Sequence, residues 1–215
     1  MTLRIDTIVV GPFEVNCYLV WNERTGDAVI FDPGADENFI FDAVSQAGCT
    51  PRAILLTHGH GDHIAAVGAV KSRYDIPLYC GSGEEELLAN PSANVSAFLG
   101  VPIVAPPPDV LLNDEDHVSF GGLQFLVLST PGHSPAGVCY LHETEGVLFC
   151  GDTLFAGSIG RTDLPGGSIE ILLLSIRQKI LTLPDSVICY PGHGPRTTVG
   201  AERRSNPFLT GEIYA

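Results

Sequence analysis

Thr57-His58-Gly59-His60-Gly61-Asp62-His63 decides the reading of this 215-residue chain. His58, His60, Asp62 and His63 place four potential metal ligands within six residues, a spacing that a chance histidine cluster rarely produces. Imidazole nitrogen and carboxylate oxygen are ligand types suited to zinc, with iron and manganese as alternatives. In an extended or turning backbone, side chains two apart project to the same side. His58 and His60 then reach one cation while Asp62 and His63 turn toward a second; a helix would splay them. Gly59 and Gly61, which lack a Cβ, are expected to allow the tight turns that gather the four side chains. The bland alternative is a polar strand-to-helix loop in which Asp62 only caps the next helix. Four ligand residues with alternating glycines speak against it.

Residues 53–57 form a compact apolar run of the kind that makes a buried strand, and residues 64–74 are expected to continue as a helix. Upstream, residues 3–10, 16–21 and 27–32 read as short strands, the last two joined as a hairpin around Thr25-Gly26. Residues 36–46 read as a helix with Phe39, Ile40, Ala43, Val44 and Ala47 on one face and Gly48 as its stop. Downstream, the strand-then-ligand order partly recurs: residues 125–130 lead into His133, 147–150 into Asp152, and 187–190 into His193. Ligands in α/β proteins bind beyond the carboxyl ends of strands, so four such ends predict one site assembled from distant segments. Residues 102–108 are a proline-rich loop, and 168–181 a helix capped by Ser168.

Composition narrows the function. The formal charge of −14 gives no electrostatic footprint for DNA or RNA, which makes nucleic acid an unsuitable substrate. Residues 1–6 carry an acid and a base where a secretory signal would need an apolar run, and no segment has the length to span a membrane, so a cytoplasmic location is expected. The six cysteines form no CxxC pair and lie mostly in apolar runs, as core thiols do. One domain over residues 1–215 accommodates all of this. Oligomeric state is not legible.

With Thr130-Pro131-Gly132-His133-Ser134-Pro135, Gly151-Asp152-Thr153 and Tyr190-Pro191-Gly192-His193-Gly194-Pro195 added to the first motif, the chain resembles the metallo-β-lactamase superfamily. The resemblance extends from Asp32-Pro33-Gly34 to Asn206-Pro207-Phe208-Leu209. It implies an α/β fold, an αββα four-layer sandwich of two mixed sheets with helices outside and the site along one edge. It also implies that His58, His60 and His133 bind one metal and Asp62, His63 and His193 a second, with Asp152 bridging. Catalysis then depends on the carboxylates Asp62 and Asp152. Two divalent ions, zinc first, would hold a bridging hydroxide that attacks an acyl carbonyl. A thioester suits such a site, because a thiolate leaves without a strong general acid.

Within the superfamily, Gly151-Asp152-Thr153-Leu154-Phe155 and Gly160-Arg161 are similar to glyoxalase II, the hydroxyacylglutathione hydrolase, and Arg203 to Leu209 is similar to its compact single-domain relatives. That resemblance implies a small-molecule substrate such as S-lactoylglutathione and a substrate contact from Arg161. For Arg161 an ion pair with Asp163 is an equal alternative. Rival activities of the same fold are a mononuclear iron persulfide dioxygenase, with His58, His133 and Asp152 as ligands, and a lactonase or β-lactamase; a non-catalytic metal-binding protein is a further class. Phe13, Phe155 and Ile159 are candidate pocket walls, while His117, His142 and Glu84-Glu85-Glu86 read as solvated surface. Asp32 reads equally as a turn-former or as the partner that orients a ligand imidazole.

Overall fold

The computed structural model describes residues 3–211, so the outermost ends of the expected 1–215 domain lie outside the described residues. The first sheet contains β1 (Leu3–Val10), β2 (Val15–Asn22), β3 (Asp27–Phe31), β4 (Thr50–Leu55), β5 (Leu78–Gly81) and β6 (Val110–Leu112), side by side in that order. Its first three strands are antiparallel and its last four parallel. The second sheet contains β7 (His117–Phe120), β8 (Leu123–Ser129), β9 (Val138–His142) and β10 (Val147–Gly151). A small hairpin, β11 (Leu154–Phe155) and β12 (Ser158–Ile159), precedes β13 (Ile188–Pro191) and β14 (Thr197–Thr198), which complete that sheet in the order β14-β13-β10-β9-β8-β7. Only β10 and β13 run parallel in it.

Alternation along the strands builds the layers. In β2, Tyr18 and Val20 face the second sheet while Cys17 and Leu19 face outward under helices; in β10, Val147 and Phe149 face inward while Leu148 and Cys150 face the opposite side. Strands covered on both faces read as continuous apolar runs. Between the sheets Phe31 stacks on Phe149 with ring centroids 4.2 Å apart, and Tyr140 meets Phe31 edge-on at 5.3 Å. Each such buried aromatic contributes on the order of 2–3 kcal/mol of transfer free energy. Helices α1 (Glu37–Ala47), α2 (Gly61–Ile64) and α3 (Val67–Tyr74) belong to the first sheet's outer layer, through Ile40, Val44, Ile64, Val67 and Val70. After the short α4 (Glu85–Ala89), α5 (Ile169–Ser175) continues into a π-helical turn (Ile176–Ile180) and packs with α6 (Val199–Ser205) on the second sheet; α7 (Pro207–Thr210) follows. This is the four-layer fold expected from the sequence. No described helix is long and apolar enough to cross a membrane.

Several local expectations change. The helix foreseen over residues 64–74 is interrupted at Ala65-Ala66, where the Ala66 amide turns away to donate to the Pro33 carbonyl at 3.0 Å. Phe39 lies off the buried stripe of α1 and is 59% exposed, because Ile40 and Val44 take the inward positions. His142 is buried, since all of β9 is covered and its ring packs against Phe125. Ser168 caps α5 as expected, accepting from the Ile171 amide, and all six cysteines are free thiols.

Two buried tyrosines tie the sheets together close to the strand ends that matter. Tyr140 donates its hydroxyl to the Leu56 carbonyl at 2.8 Å, and Tyr18 donates to the Pro191 carbonyl at 2.6 Å. Tyr140→Phe removes the donor and leaves a buried carbonyl unpaired. It is expected to lower stability by roughly 1–3 kcal/mol in urea denaturation; an unchanged midpoint contradicts this role.

Candidate metal centre

Four strand ends deliver the seven expected side chains. His58 and His60 leave β4, Asp62 and His63 occupy the first turn of α2, His133 follows β8, Asp152 follows β10, and His193 follows β13. The stretch 57–63 is thus half loop and half helix. The helical turn does not splay the ligands, because His60 precedes the helix with extended backbone at φ −66° and ψ 150°. Gly59 and Gly61 also act otherwise than expected: neither has positive φ. A Cβ on Gly59 would lie 2.7 Å from that of Leu87, and one on Gly61 2.7 Å from that of Ser96. Both are needed for close approach, Gly59 to α4 and Gly61 to the loop that follows it, and not for a turn.

The side chains converge in two groups. His58, His60 and His133 bring ligand atoms within 4.8 Å of one another, as do Asp62, His63 and His193. In the first group His60 Nδ1 and His58 Nε2 lie 2.9 and 3.3 Å from His133 Nε2. In the second, Asp62 Oδ2 is 3.5 Å from His193 Nε2 and 3.9 Å from His63 Nε2. Asp152 stands between them. Its Oδ1 is 3.5 Å from His63 Nε2, and its Oδ2 is 3.6 Å from His133 Nε2 and 3.5 Å from His193 Nε2.

The far nitrogens are occupied by partners that orient the rings. His133 Nδ1 donates to the Arg161 carbonyl at 2.8 Å and His193 Nδ1 to the Phe13 carbonyl at 2.9 Å. His63 Nδ1 lies 3.2 Å from Asp32 Oδ2, while Asp32 also accepts from the Thr57 amide at 2.8 Å and the Thr57 hydroxyl at 2.6 Å. With Nδ1 donating, each ring points its Nε2 into the cluster, the usual support for a metal-ligating histidine. Asp32, a turn-former or an orienting partner by sequence, does the second job while sitting at φ 45°.

The donor set fits divalent ions. Burial, with neighbouring imidazoles, holds His58 well below the ordinary histidine range and His60 down to about 3, so both are neutral donors. Burial opposes protonation of His63 too, but the Asp152 and Asp62 carboxylates outweigh it and raise its pKa well above the usual value. His193 is raised in the same way, its hydrogen bond to Asp62 overcoming burial. Burial works against ionised Asp152, yet His63 and the other imidazoles hold its pKa down. His63 Nε2, His60 Nε2 and Asp152 Oδ1 are buried with no hydrogen-bond partner. Buried polar atoms are rarely left so; a cation against His63 Nε2 and Asp152 Oδ1 satisfies both.

The supporting shell contains residues the sequence did not single out. Glu84, expected as part of a solvated helix turn, is fully buried; it accepts from the Gly59 amide and from the Ala136 amide, each at 2.7 Å, and so joins the first ligand loop to the loop after His133. The Asn16 side chain donates to the Pro191 and Gly194 carbonyls at 3.0 and 2.9 Å and steadies the His193 loop. A cavity of about 490 Å³ opens over the cluster, walled by Phe13, Phe155 and Ile159 as expected. Arg161 lies on its rim, with the guanidinium paired to Asp163 through two contacts of 2.8 Å. His117 is exposed.

Residues 10–193 match the family described as Metallo-beta-lactamase superfamily. The chain is 43% identical to the probable metallo-hydrolase YqgX of Bacillus subtilis, over 94% of this chain and 95% of that protein. It is 36% identical to the hydroxyacylglutathione hydrolase GloC of Haemophilus influenzae, over 96% of this chain and 98% of that one. Among solved structures it is similar to BLEG-1 B3 metallo-beta-lactamase, with TM-score 0.93, 47% identity and coverage of 97% and 100%. It is also similar to TTHA1623 in a di-iron-bound form, with TM-score 0.86, 36% identity and coverage of 95% and 100%.

The two triads differ in what an arriving ion must displace. His63 and His193 retain protons to higher pH than ordinary histidines, whereas His58 and His60 are already neutral. Ligation requires the free lone pair, so affinity at Asp62, His63 and His193 falls as pH drops. Competition with a chromophoric chelator between about pH 8 and about pH 6 is expected to show that triad losing its ion first, and Asp62→Asn to remove the pH-sensitive phase. Equal weakening of both phases contradicts the assignment.

Proposed function

The chain belongs to the metallo-beta-lactamase superfamily, and from that premise we propose that it is a binuclear thioesterase acting on glutathione thioesters such as S-lactoylglutathione. His58, His60 and His133 would hold one divalent ion and Asp62, His63 and His193 the other, with Asp152 shared. Zinc is the first choice by donor type; the di-iron form of TTHA1623 keeps iron as an alternative. Bound there, the ions supply Lewis acidity and a water whose pKa falls to about 7.

The observation that carries the thioester reading is the make-up of the cavity. Its titratable lining residues are His60, Asp62, His133, Asp152, His193 and Arg161, so every one except the arginine belongs to the proposed ligand set. No lining group remains to protonate a poor leaving group. A thiolate, from a thiol of pKa about 8.5, departs without one. The GloC relative supports the same substrate class.

The chain's own residues supply the rest. Asp32 and the Arg161 and Phe13 carbonyls hold His63, His133 and His193 in orientation, and Phe13, Phe155 and Ile159 wall the space over the cluster. Arg161, exposed at the rim, would exchange Asp163 for a carboxylate of the glutathione moiety. Metal analysis and S-lactoylglutathione hydrolysis on one preparation test this. Two ions per chain, activity lost to chelator and restored by zinc, and a roughly thousand-fold or greater loss in Asp152→Ala are expected. One iron per chain with oxygen uptake on glutathione persulfide would overturn the reading.

A further inference from the structure

A second cavity, of about 350 Å³, shares Phe13 and Asp62 with the cavity over the His/Asp cluster. Its walls are otherwise mainly apolar: Val10, Val15, Ala65, Val101 and Ile103. The segment after Asn94 divides the two spaces, Val95 lining the first and Ser96 the second. Val95 is a β-branched residue at φ 71°, a conformation that persists only where the surroundings impose it. Asn94 imposes it. Its amide donates to the Leu87 and Ile103 carbonyls at 2.8 and 3.0 Å, its Oδ1 accepts from the Ser96 amide at 3.1 Å, and its carbonyl accepts from the Gly61 amide at 2.9 Å. The divider is therefore fastened to the ligand loop itself.

The polar groups of the second cavity are already committed. Asp62 turns its carboxylate toward His193, and the Ser96 hydroxyl accepts from the Ile103 amide at 2.9 Å. A hydroxyl or charge placed there would lose water and gain little in return. The first cavity is different, having Arg161 on its rim. The two spaces meet at Phe13 and Asp62, so a substrate whose carbonyl sits at the cluster would have a space with a cation on its rim for one arm and an apolar space for the other.

We propose that the second cavity is an acyl subsite, and that the substrates are thioesters with an unsubstituted hydrocarbon acyl chain of several carbons, the glutathione-like thiol arm lying in the first cavity. This rests on the thioesterase reading above. It places S-lactoylglutathione among the poorer substrates, because its hydroxyl meets no partner in that space.

The test is a series of glutathione thioesters, from acetyl through butanoyl and hexanoyl to octanoyl, with propanoyl and lactoyl compared directly. kcat/KM is expected to rise about ten-fold for each two methylenes until the cavity is filled, and propanoyl to exceed lactoyl. Ala65→Leu adds bulk at an exposed turn position between α2 and α3, with φ −64° and ψ −28° that any residue adopts, and is expected to flatten the chain-length dependence. Calorimetry supplies a readout independent of turnover: S-hexylglutathione should bind at least about ten-fold more tightly than S-methylglutathione, and Ala65→Leu should abolish the difference. Hydrolysis with no chain-length preference, or a preference for lactoyl, overturns the acyl subsite alone. Failure to hydrolyse any member refutes the thioesterase reading and this inference with it.

Discussion

Five imidazoles and two carboxylates crowd together where the two sheets end, and the rest of the architecture serves to hold them there. Nitrogens lie 2.9 and 3.3 Å from His133 Nε2, and buried polar atoms of His63 and Asp152 lack partners. In a low-dielectric setting each of these interactions is magnified, whether favourable or not. Positive charge placed between the two triads relieves the crowding, and Asp152 is the group that touches both.

Holding that arrangement requires long-range ties rather than local propensity. Tyr140 and Tyr18 reach across from strands to the Leu56 and Pro191 carbonyls, just before the ligand loops begin. Glu84 links loops 25 and 52 residues away through two backbone amides. Asn94 ties the segment dividing the two cavities to the amide of Gly61. These contacts join the ligand loops to one another and to the strands behind them. A site built on loops needs such ties if its side chains are to be held as accurately as on strands.

Much of this was readable from residue order. The His58 to His63 motif is local, and His133, Asp152 and His193 each follow an apolar strand, so their convergence could be inferred together with the layers that carry them. Burial decided by remote partners was not readable. Glu84 sits in a run of three acids that resembles an exposed helix turn, and only the fold brings the Gly59 and Ala136 amides to it. His142 lies next to acidic residues in sequence but is covered by the packing of β9, and Phe39 falls one position off the buried stripe of α1. The glycines of the first motif are constrained by the neighbouring segment, which is invisible in local sequence and needs the space, and not by a turn. Arg161 takes its sequence neighbour Asp163 as partner at the cavity rim.

The central claim is that the seven side chains hold two ions with Asp152 between them. Anomalous diffraction from crystals of the purified protein, recorded at the zinc and iron edges, measures this directly. Two peaks about 3.5–4 Å apart are expected, one against His58, His60 and His133 and one against Asp62, His63 and His193, with Asp152 touching both. A single peak, or ions bound away from Asp152, would contradict it.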